Sequence, residues 1–195
     1  MASRFENVFH DLQRYISGYG VCVPLKAMDI EKPGEFDGPS ITINPLHDAE
    51  ARSHYLAHAF GSIVQWSTDF KSADKVFHEL RAAAGRRKDV PERFEEALKA
   101  YRRFEETSSC HAVWLLDQIG HRSAIRPYTL FFRADIEAMT IFHRTGHSPR
   151  WPNFYAQWKR RARSGDVWVA PFTPRSFSRF TPVGIPRQEV LQGRL

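Results

Sequence analysis

Residues 41–66, ITINPLHDAEARSHYLAHAFGSIVQW, change period part-way along, from two residues to between three and four. Ile41-Thr42-Ile43 alternates apolar and polar β-branched positions, the pattern of a short strand. Asn44-Pro45 ends it, because proline has no N–H for a ladder and restricts the residue before it. Asp48 then offers an N-cap oxygen, and Glu50 puts a negative charge in a first helical turn. Leu56, Phe60 and Ile63 follow at spacings of four and three, which predicts a buried helical stripe. Opposite it fall His54, His58, Gly61, Ser62 and Gln65, polar or small residues that could line a cleft.

The segments on either side read as mostly helical. Phe5, Val8, Phe9, Leu12 and Ile16 predict an amphipathic helix over Ser3–Ser17, with Ser3 and Glu6 as a capping box. Val21 to Leu25 predicts a short strand, placed at an edge or an end by Pro24. Glu31 to Pro39 contains Pro33-Gly34 and Asp37-Gly38 and predicts a hairpin link into Ile41–Ile43. Phe70 to Gly85 predicts a further helix. Pro91 opens a long one whose apolar stripe runs from Phe94 to Ile119 before Gly120 closes it. Glu105 falls about 40° from Tyr101 and about 20° from Ala112 on that helix, so a carboxylate faces inward and needs a partner.

The chain resembles the ImmA/IrrE family of zinc metallopeptidases, on Ile41-Thr42-Ile43-Asn44, Arg52, Leu56-Ala57-His58 and Gly61. That family pairs a strand reading I-x-I-N with a helix reading L-A-H-E-L-G-H. Where it has His-Glu-x-x-His, this chain has His58-Ala59-Phe60-Gly61-Ser62. The resemblance implies that His58 stands at the first zinc ligand, Ala59 at the general base and Ser62 at the second ligand. It also implies that Glu105 stands at the third ligand, with Ser109, Ala112 and Leu115-Leu116 in step, and it covers roughly Phe5 to Gly120. Two His at i and i+4 share one helix face and can grip one zinc, while the Glu moves a proton for its bound water. Alanine moves no proton, and a neutral serine hydroxyl is a poor ligand.

The expectation is therefore an α+β fold: a minimal zincin-like core with a small antiparallel sheet over residues 1–125, and a basic extension over residues 126–195 packed on it. The expected function is a catalytically degenerate homologue that binds a protein partner, with no cofactor required. The former metal cleft would comprise His58, Ala59, Ser62 and Glu105. An alternative keeps an active zinc peptidase with His54, His58 and Glu105 as rearranged ligands, since His54 and His58 are themselves an i, i+4 pair. The plainer reading of His54 is a polar residue on a cleft wall.

The extension carries the charge. After His143 there are ten Lys and Arg residues against Asp166 and Glu189, while the whole chain has a net charge of +6. Arg150, Trp151, Trp158, Lys159, Arg160, Arg161 and Arg163 interleave aromatics with cations, a composition suited to a protein partner or to nucleic acid. Family members often act beside DNA-binding repressors, which the resemblance implies for partners. Arg126 to Phe132 is compatible with a strand or with the start of a helix. Asp135 to Phe142 reads as helix, Val167-Trp168-Val169 as a small strand, and the chain from Pro171 as a proline-punctuated tail. No apolar run reaches the roughly 20 residues that span a bilayer. Two cysteines, Cys22 and Cys110, form no disulfide framework, and the charged N-terminus lacks a signal-peptide centre. A cytoplasmic setting without membrane contact is the expectation.

Overall fold

The computed structural model describes residues 4–29, 33–147 and 149–185. Among these residues, six helices and a hairpin follow in the order α1 Arg4–Ser17, β1 Gly34–Phe36, β2 Ile41–Ile43, α2 Ala49–Thr68, α3 Phe70–Ala84, α4 Pro91–Gln118, α5 Arg122–Thr145 and α6 Trp151–Ser164. The class is α+β and mostly helical. None of the described helices is long and apolar enough to cross a membrane. The cap expected at Ser3, the start of the hairpin link at Glu31, and Arg187, Glu189 and Arg194 lie outside the described residues.

Helix α2 is the centre of the molecule. Asp48 caps it, its Oδ1 accepting from the Ala51 N–H at 2.8 Å. It packs against α1, α3, α4 and both strands. Leu56, Phe60 and Ile63 are fully buried, and His54, His58 and Ser62 on the other side are buried as well. The polar side faces α4 and α5 rather than solvent, and the small residues on it let the helices approach closely. Gly61 shows how closely: a Cβ there would lie 2.2 Å from the Ser108 carbonyl oxygen on α4. Both groups belong to helix backbones, so no side-chain rotation could relieve the clash.

The hairpin is smaller than the link that was expected to hold it. β1 pairs antiparallel with β2, Phe36 opposite Ile41 and Gly34 opposite Ile43. The Asp37 N–H donates to the Ser40 carbonyl, and Asp37 Oδ1 accepts the Ser40 N–H, closing the turn. Residues 22–26 run parallel along the other edge of β2, through bonds such as Ile41 N–H to the Cys22 carbonyl at 2.8 Å. They make isolated bridges rather than a strand, and Pro24 has no N–H to add to the ladder. Asn44 ends β2 and is wholly buried; its Nδ2 donates to the Met28 and Asp29 carbonyls and its Oδ1 accepts from Leu46. Arg52 bridges to Glu6 at 2.7 Å and lies over the Phe9 ring, tying α2 to α1.

Beyond residue 125 the described residues join the same core. The boundary expected after residue 125 falls inside α5, whose Ala124, Tyr128, Phe131 and Phe132 join the cluster formed by α1, α2 and α4. Arg126–Phe132 is thus helical, with Pro127 inside the helix. After α6, residues 167–185 run without regular structure across the molecule as a strap. Arg133 holds its start, donating from Nε to the Ala170 carbonyl while its guanidinium lies 4.1 Å from the Phe172 ring centre. His111 Nδ1–H donates to the Arg175 carbonyl at 2.8 Å, and burial lowers the pKa of that imidazole, which suits the neutral donor form. Phe177 and Phe180 then pack on Tyr19 and Phe60. The strap reaches the hairpin where the Ile185 N–H donates to the Asp37 carbonyl. Gly38, at φ 100°, sits under Val183 there, with the position of a Cβ only 1.9 Å from its carbonyl oxygen.

Candidate functional site

The sequence placed a histidine on α2 and a carboxylate on α4 on facing sides, and the fold brings them together. His58 Nε2 lies 2.9 Å from Glu105 Oε2. The other ring nitrogen, Nδ1, lies 3.3 Å from the Tyr128 hydroxyl and 3.4 Å from Ser109 Oγ. Phe132 stacks on the imidazole face with ring centres 3.9 Å apart and planes 15° from parallel. Tyr101, one turn before Glu105, is buried; burial first, then the negative charge of Glu105, raises its pKa well above 10.

Asp135 on α5 completes the polar cluster. Burial raises its pKa to about 6; the His58 charge opposes that rise and the Glu105 charge adds to it. Tyr128, Phe132 and Asp135 were not singled out in the sequence as site residues. Their one available signal was the spacing of three or four along 128–135, and the strand alternative for 126–132 obscured it.

Ala59 is fully buried and Ser62 is 3% exposed, so the two positions expected to match a base and a second ligand lie in packed interior. Among the described residues no three His, Cys, Asp or Glu side chains are grouped to hold a metal ion. A catalytic zinc takes three protein ligands and a water. His58 and Glu105 supply two and bond to each other, and Ser62 offers no anionic or imidazole donor. The donor set does not fit a zinc centre of this type.

His54, the alternative ligand, does not join the pair. It is 1% exposed and its ring sits among Phe5, Tyr128 and Phe131, with centres 5.3 to 5.8 Å away. Neither ring nitrogen has a hydrogen-bond partner among the described residues. The expected place on a cleft wall is corrected accordingly: the aromatic residues of α1 and α5 close over that side of α2.

A charge on this ring has nothing to answer it, and burial lowers the His54 pKa from 6.5 to about 3. Above pH 6.5 the ring is neutral both folded and unfolded, and stability is unaffected by it. Below pH 6.5 the unfolded chain takes up a proton that the folded chain refuses, so stability falls by about 1.4 kcal/mol per pH unit until the folded pKa is approached. Asp135, raised to about 6, opposes this between its unfolded value near 3.8 and pH 6. His54→Phe should therefore gain about 2 kcal/mol over the native chain on going from pH 7.5 to pH 5, measured by urea unfolding at both. An unchanged difference would show that His54 titrates as in an open chain.

The residues expected to bind a partner separate into two groups. Trp158 is 5% exposed and its Nε1–H donates to Glu137 Oε2 at 2.7 Å, so it anchors α6 to α5. Trp151 stacks on Tyr155, and both pack against Phe131. Trp158 was expected among the binding residues; it is core, as its spacing from Trp151 and Phe154 already allowed. Arg150, Arg160, Arg161 and Arg163 stay exposed, and Lys159 is half-buried over the Tyr155 ring at 4.6 Å. Trp168, read from sequence as part of a small strand, is in no strand and is 84% exposed.

No family model, curated protein or solved structure matches the chain.

Proposed function

We propose that this chain is a zincin-like scaffold of the ImmA/IrrE kind that no longer hydrolyses peptides and acts as a regulatory binding module. One observation carries the reading. The histidine at the first-ligand position is engaged on both ring nitrogens and covered on one face by Phe132, while Ala59 and Ser62 supply neither a base nor a ligand beside it. A hydrolase of this type needs a general base within reach of a metal-bound water and an open coordination position. The buried cluster offers a substrate neither of these. Its chemistry is that of a polar joint between α2, α4 and α5, and binding then falls to the outer surface.

The test is direct. The protein is incubated with a mixed peptide library, with and without added zinc, and the products are read by mass spectrometry. The expected result is no product beyond that of Glu105→Gln. Cleavage products that vanish in Glu105→Gln would sink the proposal.

A further inference from the structure

We infer that the outer face of α6, with Trp168 at its C-terminal end, binds single-stranded nucleic acid. The inference gives the binding module a partner class, and it rests on that reading for its biological sense only, since it uses no residue of the buried cluster. Helix α6 contains no acidic residue. Trp151, Tyr155 and Trp158 pack inward, which leaves Arg160, Arg161 and Arg163 within an arc of about 160° on the other side, with Arg150 exposed at the N-cap of this helix about 21 Å long. Among the described residues none of these four guanidinium groups is paired with a carboxylate, whereas Arg133 and Arg144 are. Lys159 is set apart, over Tyr155 and close enough to Glu50 to influence its carboxyl group.

Trp168 is held next to the C-terminal end of α6 by the backbone. The chain reverses at Gly165, φ 84°, and the Val167 N–H donates to the Arg161 carbonyl at 3.3 Å. That fixes the next residue beside the last turn of α6, where its indole is 84% exposed and makes no ring contact among the described residues. An exposed indole is costly to solvate and is not needed for the fold.

Charge and ring together select the occupant. Planar guanidinium forks match phosphate oxygens two at a time. Arg160, Arg161 and Arg163 fall within one turn and Arg150 stands about 15 Å away along the axis, so the four can meet three or four phosphates, not all successive, of a strand that runs the length of α6. An aromatic side chain beside such a track stacks on an unpaired base, whatever its identity. A duplex offers the same phosphates but keeps its bases stacked on each other. An acidic protein surface would meet the charges, but an interfacial tryptophan gains its energy where neighbouring contacts shut out water. Here Ser164, Gly165 and Asp166 just before the indole are all exposed.

The experiment uses the full chain and a fluorescent 15-nucleotide oligo-dT, with the matching duplex and a poly-glutamate of similar length as competitors. The expected result is binding of the single strand with a slope of log K against log salt of about −2 to −3, since each phosphate neutralised adds about −0.7. Trp168→Ala should weaken it about tenfold or more, with unchanged thermal unfolding, as an exposed side chain permits. Arg160→Ala should lower the slope by about 0.7. Absence of binding at 50 mM salt overturns the inference, and so does an affinity indifferent to Trp168→Ala. Displacement by poly-glutamate at equal concentration overturns it in favour of an acidic protein partner. Peptide cleavage by the protein would sink the binding-module reading and leave these results standing.

Discussion

Phe60→Ala lowers stability by about 3–5 kcal/mol in urea unfolding, the range for emptying a packed aromatic site. The ring is fully buried on α2 and meets Tyr19, Phe177 and Phe180 at centre distances of 5.4 to 5.8 Å. These neighbours come from the end of α1 and from the strap, so one side chain joins the central helix to two distant parts of the chain. Its removal leaves a cavity that only the strap could refill. Because Phe177 also packs on Trp114 and His111, the strap is held in place from the α4 side and cannot collapse inward freely. The loss should therefore sit at the upper part of the range, with faster trypsin cleavage within residues 167–185. A cost below about 1 kcal/mol would place Phe60 on the wrong side of α2 and remove the strap from the core.

Glu105→Leu is expected to cost a similar ~3–5 kcal/mol, because removing one partner of a buried polar pair strands the other. Here it strands His58 Nε2. The informative variant is the double one, His58→Leu with Glu105→Leu. If the two side chains are a structural joint, replacing both by apolar groups recovers much of the loss, and the coupling in a double-mutant cycle exceeds ~2 kcal/mol. Costs that simply add would mean that each residue serves something else.

The parts of this fold that could be read from sequence are those with an undisturbed period. α1, α2 and α4 declare themselves through spacings of three and four, and the inward place of Glu105 follows from the same arithmetic. What His58 and Glu105 do there was not legible, since a helical wheel gives a face and not the residue opposite. α5 was ambiguous because Pro127 interrupts a run of β-branched and aromatic residues that a strand would also favour. The strap has no period at all; its course is set by Arg133, His111 and Gly38, each remote in sequence. His54 misled for a different reason. Its polarity and its spacing from His58 suggest a ligand, and only the aromatic residues closing over it from α1 and α5 make it interior.

The most direct test of the central claim, that His58 and Glu105 form a packed joint and not a metal centre, is the zinc content of the purified, dialysed protein. Elemental analysis should give well under one zinc per chain, with the same value in His58→Ala. One zinc per chain, lost in His58→Ala, would contradict it.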